Sequence, residues 1–154
     1  MISMKTLFAI PAVPAIAAAA VLATASPAAA VPGEPASGGA FATSYALGQG
    51  PCVAIVDSSV NGNAYPNHAA FTVGATLIGI GDCSMPVTLN WRNLDTGETG
   101  SVERVAHGPG YWGTDGRSAL FAPGIGRFNA AVTIGGAHVP EPGSIDFTVI
   151  EYQG

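Results

Sequence analysis

From Phe41 to the C-terminus, apolar residues recur at every second position in short runs, and helix formers are scarce. That spacing restricts the chain more than any other feature, because side chains alternate between the two faces of an extended backbone whereas a helix repeats every ~3.6 residues. Each run therefore reads as a half-buried strand. In the clearest, residues 86–92, Val87, Leu89 and Trp91 share one face while Thr88, Asn90 and Arg92 take the other. Trp91 is expected to point inward. Residues 71–80 place Phe71, Val73, Ala75 and Leu77 on one face, with Thr72, Gly74 and Thr76 opposite. Ile78 and Ile80 then fall on the parity of the polar residues. That implies either burial on both sides near the strand's end or a bulge at Gly79 that resets the facing.

The remaining strands follow turn signals. Residues 99–106 come after Asp95-Thr96-Gly97, and residues 117–121 after Asp115-Gly116, a pair that suits a two-residue hairpin turn. Residues 127–134 align Phe128, Ala130, Val132 and Ile134, and residues 144–152 align Ile145, Phe147 and Val149 behind Pro140-Glu141-Pro142-Gly143. Residues 52–57 and 41–47 complete the set, and Asn61-Gly62 and Asn93-Leu94-Asp95 read as turns. Seven or eight short strands, one with an inward Trp, predict an all-β fold: an antiparallel β-sandwich. In strand count, in Trp91 and in the spacing to the last two strands, residues 41–154 resemble an immunoglobulin-like module. They depart from the antibody pattern in their cysteines, since Cys83 precedes Trp91 and no Cys lies in the Phe128 strand. Unrelated activities share this architecture, so the resemblance implies none of them.

Residues 1–30 follow a different logic. Lys5 gives a positive start, residues 7–23 an apolar run, and Ala28-Ala29-Ala30 the small residues a signal peptidase needs, so a secretion signal cleaved after Ala30 is expected. Pro11 and Pro14 interrupt the run and leave no clean stretch of about 20 strongly apolar residues for a membrane anchor. Residues 31–40, Val-Pro-Gly-Glu-Pro-Ala-Ser-Gly-Gly-Ala, lack periodicity and read as a flexible leader to the sandwich of residues 41–154. The expected destination is the extracellular space or the cell envelope. Such an oxidising compartment favours a disulfide between Cys52 and Cys83. Closing a loop of about 31 residues contributes roughly 3–4 kcal/mol in the chain-entropy account.

Without residues 1–30 the chain has 124 residues, enough for one core that hides roughly two-thirds of the surface exposed when unfolded. The whole chain carries net charge −5, and the first thirty residues hold only Lys5, so the rest carries −6. Its fixed cations, Arg92, Arg104, Arg117 and Arg127, are far apart in sequence. No basic stripe is present to neutralise phosphates, which argues against nucleic acid and anionic membranes as partners. Charged residues make up 10% of the chain, where about a quarter is usual. With its abundant Ala, Gly and Pro, the composition resembles in style the secreted proteins of high-GC Gram-positive bacteria.

Residues 107–116, His-Gly-Pro-Gly-Tyr-Trp-Gly-Thr-Asp-Gly, are the richest in chemistry. Tyr111 and Trp112 amid glycines can form a stacking platform, with Asp115 and Arg117 as polar contacts to a sugar or peptide. Loop aromatics pack more often than they bind, so one ring capping the sandwich is the favoured reading; if the domain binds a ligand, these four residues are the expected contacts. His68, His107 and His138 match no metal-ligand spacing, and Asp57, Asp82, Asp95 and Asp115 lack a calcium-loop pattern, so neither metal nor cofactor is expected. Gly116-Arg117-Ser118-Ala119-Leu120 fails the nucleophile-elbow pattern at its last position. Glu98, Glu103 and Glu141 read as solvated surface charge rather than a glycosidase pair.

The sequence thus points to a secreted, non-enzymatic binding or envelope-associated domain, monomeric or weakly associating, whose ligand is a protein or a glycan. The rival from another class is a small hydrolase with a dispersed site built on His107 and Asp115. A third reading is a purely structural or antigenic envelope protein.

Overall fold

The alternation becomes two antiparallel sheets around one core in the structure, a computed structural model that describes residues 37–154. The expected signal at 1–30 and the first six residues of the expected leader lie outside the described residues. In chain order the strands are β1 (Gly38–Ala40), β2 (Ser44–Leu47), β3 (Cys52–Tyr65), β4 (His68–Gly79), β5 (Cys83–Asn93) and β6 (Thr99–Gly108). They continue as β7 (Gly110–Gly113), β8 (Leu120–Phe121), β9 (Gly126–Ile134), β10 (His138–Val139) and β11 (Ser144–Val149). A seven-stranded sheet runs in the order β10-β2-β3-β4-β7, with β1 also pairing to β3 and β8 to β4. A four-stranded sheet runs β11-β9-β5-β6.

Parity decides what each strand buries. Val56 and Val60 of β3 and Phe71, Val73 and Leu77 of β4 meet Met85, Val87 and Leu89 of β5 and Phe128 of β9 in one continuous core. Phe128 stacks on Phe147 of β11 at 5.0 Å between ring centroids, and Trp91 meets Phe128 edge-on at 5.6 Å. Such pairs contribute about 0.5–1.5 kcal/mol each beyond their buried area. Trp91 leans inward as expected, half-buried over Gly100, where a Cβ would overlap the indole. Cys52 opens β3 and Cys83 opens β5, so their disulfide, Cα atoms 6.2 Å apart, ties one sheet to the other.

The all-β class and the antiparallel sheets read from the sequence are present, with Trp91 inward. The strand count is higher than the seven or eight expected, because β1, β7 and β10 have only two to four residues, too few to show a period. Pairing begins ahead of Phe41: Gly38–Ala40, the last residues of the expected leader, pair with Ser59, Val60 and Asn61 of β3. A Cβ at Gly38 would overlap the Val60 carbonyl, so the composition that reads as a leader is what lets the chain lie this close.

Asn61-Gly62 is not a turn. β3 runs on through it, with an irregularity between Asn61 and Tyr65, and reverses at Pro66-Asn67, where Asn67 adopts φ 59°. Asn tolerates that left-handed conformation far better than most residues. Gly62 serves a close approach instead, since a Cβ there would overlap the Thr148 carbonyl of β11. Asp115-Gly116 does not make a two-residue hairpin either. The Asp115 carboxylate accepts the N–H groups of Arg117 (3.1 Å) and Ser118 (2.7 Å), which curls the chain and shortens the strand expected over 117–121 to Leu120–Phe121.

The last strand ends at Val149 rather than Tyr152. Beyond it, the N–H groups of Ile150 and Tyr152 donate to the side-chain carbonyls of Asn63 (2.7 Å) and Asn67 (2.8 Å). Finally, neither reading of Ile78 and Ile80 holds. β4 stays in register with β3 through Gly79, Ile78 facing Val53 and Gly79 facing Cys52, and Ile78 and Ile80 are exposed.

Candidate functional site

Tyr111 and Trp112 are consecutive residues of β7, so their side chains leave the sheet on opposite faces. Trp112 packs partly buried against the core, while Tyr111 is 77% exposed on the outer face. The two rings therefore do not form one platform. The Tyr111 ring lies over Gly113 of its own strand and Gly74 of β4, a facing pair with no side chains to lift it. Asp115 is committed to its turn: besides accepting from Arg117 and Ser118, it donates its own N–H to the Ser118 hydroxyl at 2.9 Å. The Ser118 hydrogen bonds hold its carboxyl below the usual carboxylate range. Arg117 contributes its backbone N–H to that turn and is exposed.

The residues of the hydrolase reading are not joined. His107 lies exposed on β6 opposite Ser84, and Asp115 has no hydrogen bond to it. His68 binds the Pro66 carbonyl through Nδ1, and His138 contacts the Gly136 carbonyl and Glu141 at 2.7 and 3.1 Å. Asp57 accepts from the Thr43 hydroxyl at 2.6 Å, and Asp95 pairs with Arg127. Among the described residues no group of three or more His, Cys, Asp or Glu side chains is placed to hold a metal ion.

The distinctive surface lies elsewhere, on the outer face of the seven-stranded sheet. Cross-strand register lines up Val139 of β10, Tyr45 of β2, Ile55 of β3, Thr76 of β4 and Tyr111 of β7 in one row that crosses five strands. A second row beside it holds Leu47, Val53 and Ile78. Their exposures run from 47% at Val53 to 77% at Tyr111, with Ile55 half-buried. Between the rows is a shallow groove of about 560 Å³ lined by Tyr45, Leu47, Val53, Ile55, Ile78 and Val139. These neighbouring exposed side chains form a contiguous apolar patch, the kind of surface that marks an interaction site.

The four-stranded sheet provides the comparison. Its outer face carries cross-strand hydrogen bonds from Thr88 to Glu103 (3.4 Å), Asn90 to Thr133 (2.8 Å) and Asn129 to Asp146 (2.7 Å), the ordinary dress of a solvated sheet. None of the four arginines reaches the apolar face. Arg92 and Arg127 lie on the four-stranded sheet and Arg117 in its turn. Arg104 is placed on the inward parity opposite Val87 and donates to the Glu103 and Leu120 carbonyls, at 2.9 and 3.5 Å; burial pulls its pKa down.

This surface was missed from sequence, although a signal was present. Val53, Ala54, Ile55 and Val56 are apolar on both parities, as are Leu77 and Ile78, and alternation alone does not say which of the two sides meets water. No protein-family model, curated protein or solved structure matches the chain.

Proposed function

We propose that this chain is an exported, non-enzymatic binding domain that docks a protein through the outer face of its seven-stranded sheet. The observation that carries the reading is the apolar double row on one sheet set against the hydrogen-bonded polar face of the other. Apolar patches of this extent mark interaction surfaces. The aliphatic and tyrosine side chains of the double row suit a partner's apolar side chains, with the Asp57 carboxylate at its border on β3. A glycan needs hydrogen-bonding groups beside its aromatic contacts, and the two rows provide few. Export is supported by the pattern of Lys5, the apolar run and Ala28–30, and by the Cys52–Cys83 bond, which suits an oxidising compartment. No helix among the described residues is long and apolar enough to cross a membrane.

A neutral apolar dye, Nile red, tests the surface at low protein concentration. The folded domain is expected to give a saturable rise in emission. Replacing Tyr45, Val53 and Ile78 together by Thr abolishes that rise, and Asn90→Ala on the other sheet leaves it intact. Equal emission from the triple variant, with its melting curve unchanged, would refute the assignment of the docking face.

A further inference from the structure

We propose that a second site, a cleft between the tip of the β3–β4 hairpin and the segment that follows β11, binds a neutral sugar ring. The site is separate from the outer sheet face and does not depend on it. The cleft holds about 400 Å³, a volume in the range of ligand pockets, and its less polar walls are Tyr65, Pro66, Ile150 and Tyr152.

Two asparagines build it. Asn63 and Asn67 both take the left-handed conformation, at φ 60° and 59°, which the short Asn side chain tolerates. Their side-chain carbonyls accept the N–H groups of Ile150 (2.7 Å) and Tyr152 (2.8 Å), so alternate residues of the passing segment are held against the hairpin. Those bonds fix which end of each amide is oxygen. Both amides line the cleft, and their NH2 ends meet no protein acceptor among the described residues. Tyr65 is braced too: its ring meets His68 edge-on at 5.9 Å between centroids, and His68 Nδ1 lies 2.8 Å from the Pro66 carbonyl. Groups held in place before a ligand arrives lose little freedom when it binds.

The chemistry of the walls selects the ligand. Tyr65 and Tyr152 are 59% and 62% exposed, which leaves ring surface for the C–H groups of a sugar, whose partial positive charge the negative π-face attracts. The asparagine NH2 groups donate, the Glu151 carboxylate accepts, and a sugar hydroxyl can do both. No lysine or arginine lines the cleft, so a phosphate or carboxylate ligand would meet Glu151 with nothing to neutralise it. A cation would suit Glu151 but face two N–H donors. A proline-rich peptide could accept from the amides, but it has few N–H groups to offer the carboxylate. The hydrogen-bonding groups that the outer sheet face lacks for a glycan are present here beside the aromatic ones.

Proton–nitrogen correlation NMR of the oxidised, isotope-labelled protein tests the proposal, because it reads side-chain NH2 groups as well as backbone amides. The probes are maltotetraose, cellotetraose, laminaritetraose, mannotetraose and tetra-N-acetylchitotetraose, each up to about 10 mM. At least one is expected to shift the NH2 resonances of Asn63 and Asn67 saturably, with a Kd between about 0.1 and 5 mM, while tetragalacturonate leaves them unmoved. Tyr65→Ala and Tyr152→Ala should each weaken binding about tenfold. Asn63→Asp combined with Asn67→Asp keeps the acceptors for Ile150 and Tyr152 and tolerates the same backbone, but it removes both donors. Binding is expected to fall at least about tenfold while the Ile150 and Tyr152 amide shifts stay near those of wild type. The triple-Thr variant of the outer face should bind as wild type does.

Five saccharides that leave the Asn63 and Asn67 resonances unmoved overturn the proposal. So does a decaproline peptide that moves them when the sugars do not, since the cleft is then a peptide groove. A sugar that binds equally well to the double-Asp variant, or to both tyrosine variants, reduces the asparagines to structural clamps and also overturns it. Melting temperatures measured on the same samples separate loss of binding from loss of fold.

Discussion

Leu77 and Ile78 are adjacent in β4, yet the structure assigns them opposite environments, and substituting each tests the register on which the outer face depends. Leu77 is 1% exposed and packs against Gly108 at the end of β6. Ile78 is 56% exposed on the outer face. Truncating a buried leucine loses its transfer free energy and leaves a cavity, so Leu77→Ala is expected to cost about 3 kcal/mol within a range of roughly 2–5. Ile78→Thr removes apolar surface that is already more than half in water and keeps a β-branched side chain. At about 0.8 kcal/mol for each fully buried methylene, it should cost less than about 1 kcal/mol. Urea unfolding of the oxidised protein followed by Trp fluorescence separates the two. With m of about 1–1.5 kcal/mol/M, Leu77→Ala moves the midpoint down by about 2–3 M and Ile78→Thr by less than about 1 M. Had a bulge at Gly79 turned Ile78 inward, its truncation would cost as much as that of Leu77. Equal midpoint shifts at constant m would therefore refute the assigned register.

Further outcomes follow from the same contacts. Gly62→Ala sets a methyl group against the Thr148 backbone carbonyl, which cannot swing aside, and is expected to cost at least about 1–3 kcal/mol in the same urea assay, whereas Gly116→Ala, with open space around it, should be nearly neutral. Trp112→Ala should destabilise the domain by a few kcal/mol while Tyr111→Ala leaves the midpoint within about 0.5 kcal/mol of wild type, because only the Trp ring packs on the core. Stability should peak at mildly acidic pH. Asp95, held below its usual 3.8 by the Arg127 hydrogen bonds, contributes stability that is in place above 3.8 and lost as pH falls through its lower folded value. His138, raised above 6.5 chiefly by its bond to the Gly136 carbonyl, contributes stability that is in place below 6.5 and lost as pH rises through its higher folded value. Thermal melts from pH 2 to 9 check this: Asp95→Asn should flatten the acid limb and His138→Gln the alkaline one, and a variant curve parallel to wild type would remove the group from the account.

The core was legible because period-two alternation needs no knowledge of partners. Phe71, Val73, Ala75, Leu77, Val87, Leu89, Phe128, Ala130, Val132 and Phe147 were assigned to inward faces by parity alone, and all are buried. Cys52 and Cys83 paired because two cysteines allow one bridge. The turns were harder, since glycine beside asparagine or aspartate has more than one physical use. At Asn61-Gly62 the glycine is needed because β11 crosses close above β3, a fact about a strand some eighty residues away in sequence. At Asp115-Gly116 the aspartate closes a turn through its own side chain, and the hairpin geometry expected there does not form.

The outer face was illegible for a different reason. Alternation states which residues share a side of a strand, and the inward side is recognised because it is apolar. When both sides are apolar the rule is silent, and the choice returns to what lies above and below the sheet. In the four-stranded sheet the outward residues include Thr88, Asn90, Glu103, Asn129, Thr133 and Asp146, and water is their evident partner. In the seven-stranded sheet the outward residues of β2, β3 and β4 include Tyr45, Leu47, Val53, Ile55 and Ile78, and among the described residues no third layer covers them. Burial on both sides, one of the two readings of the Ile78 parity, therefore does not hold among the described residues.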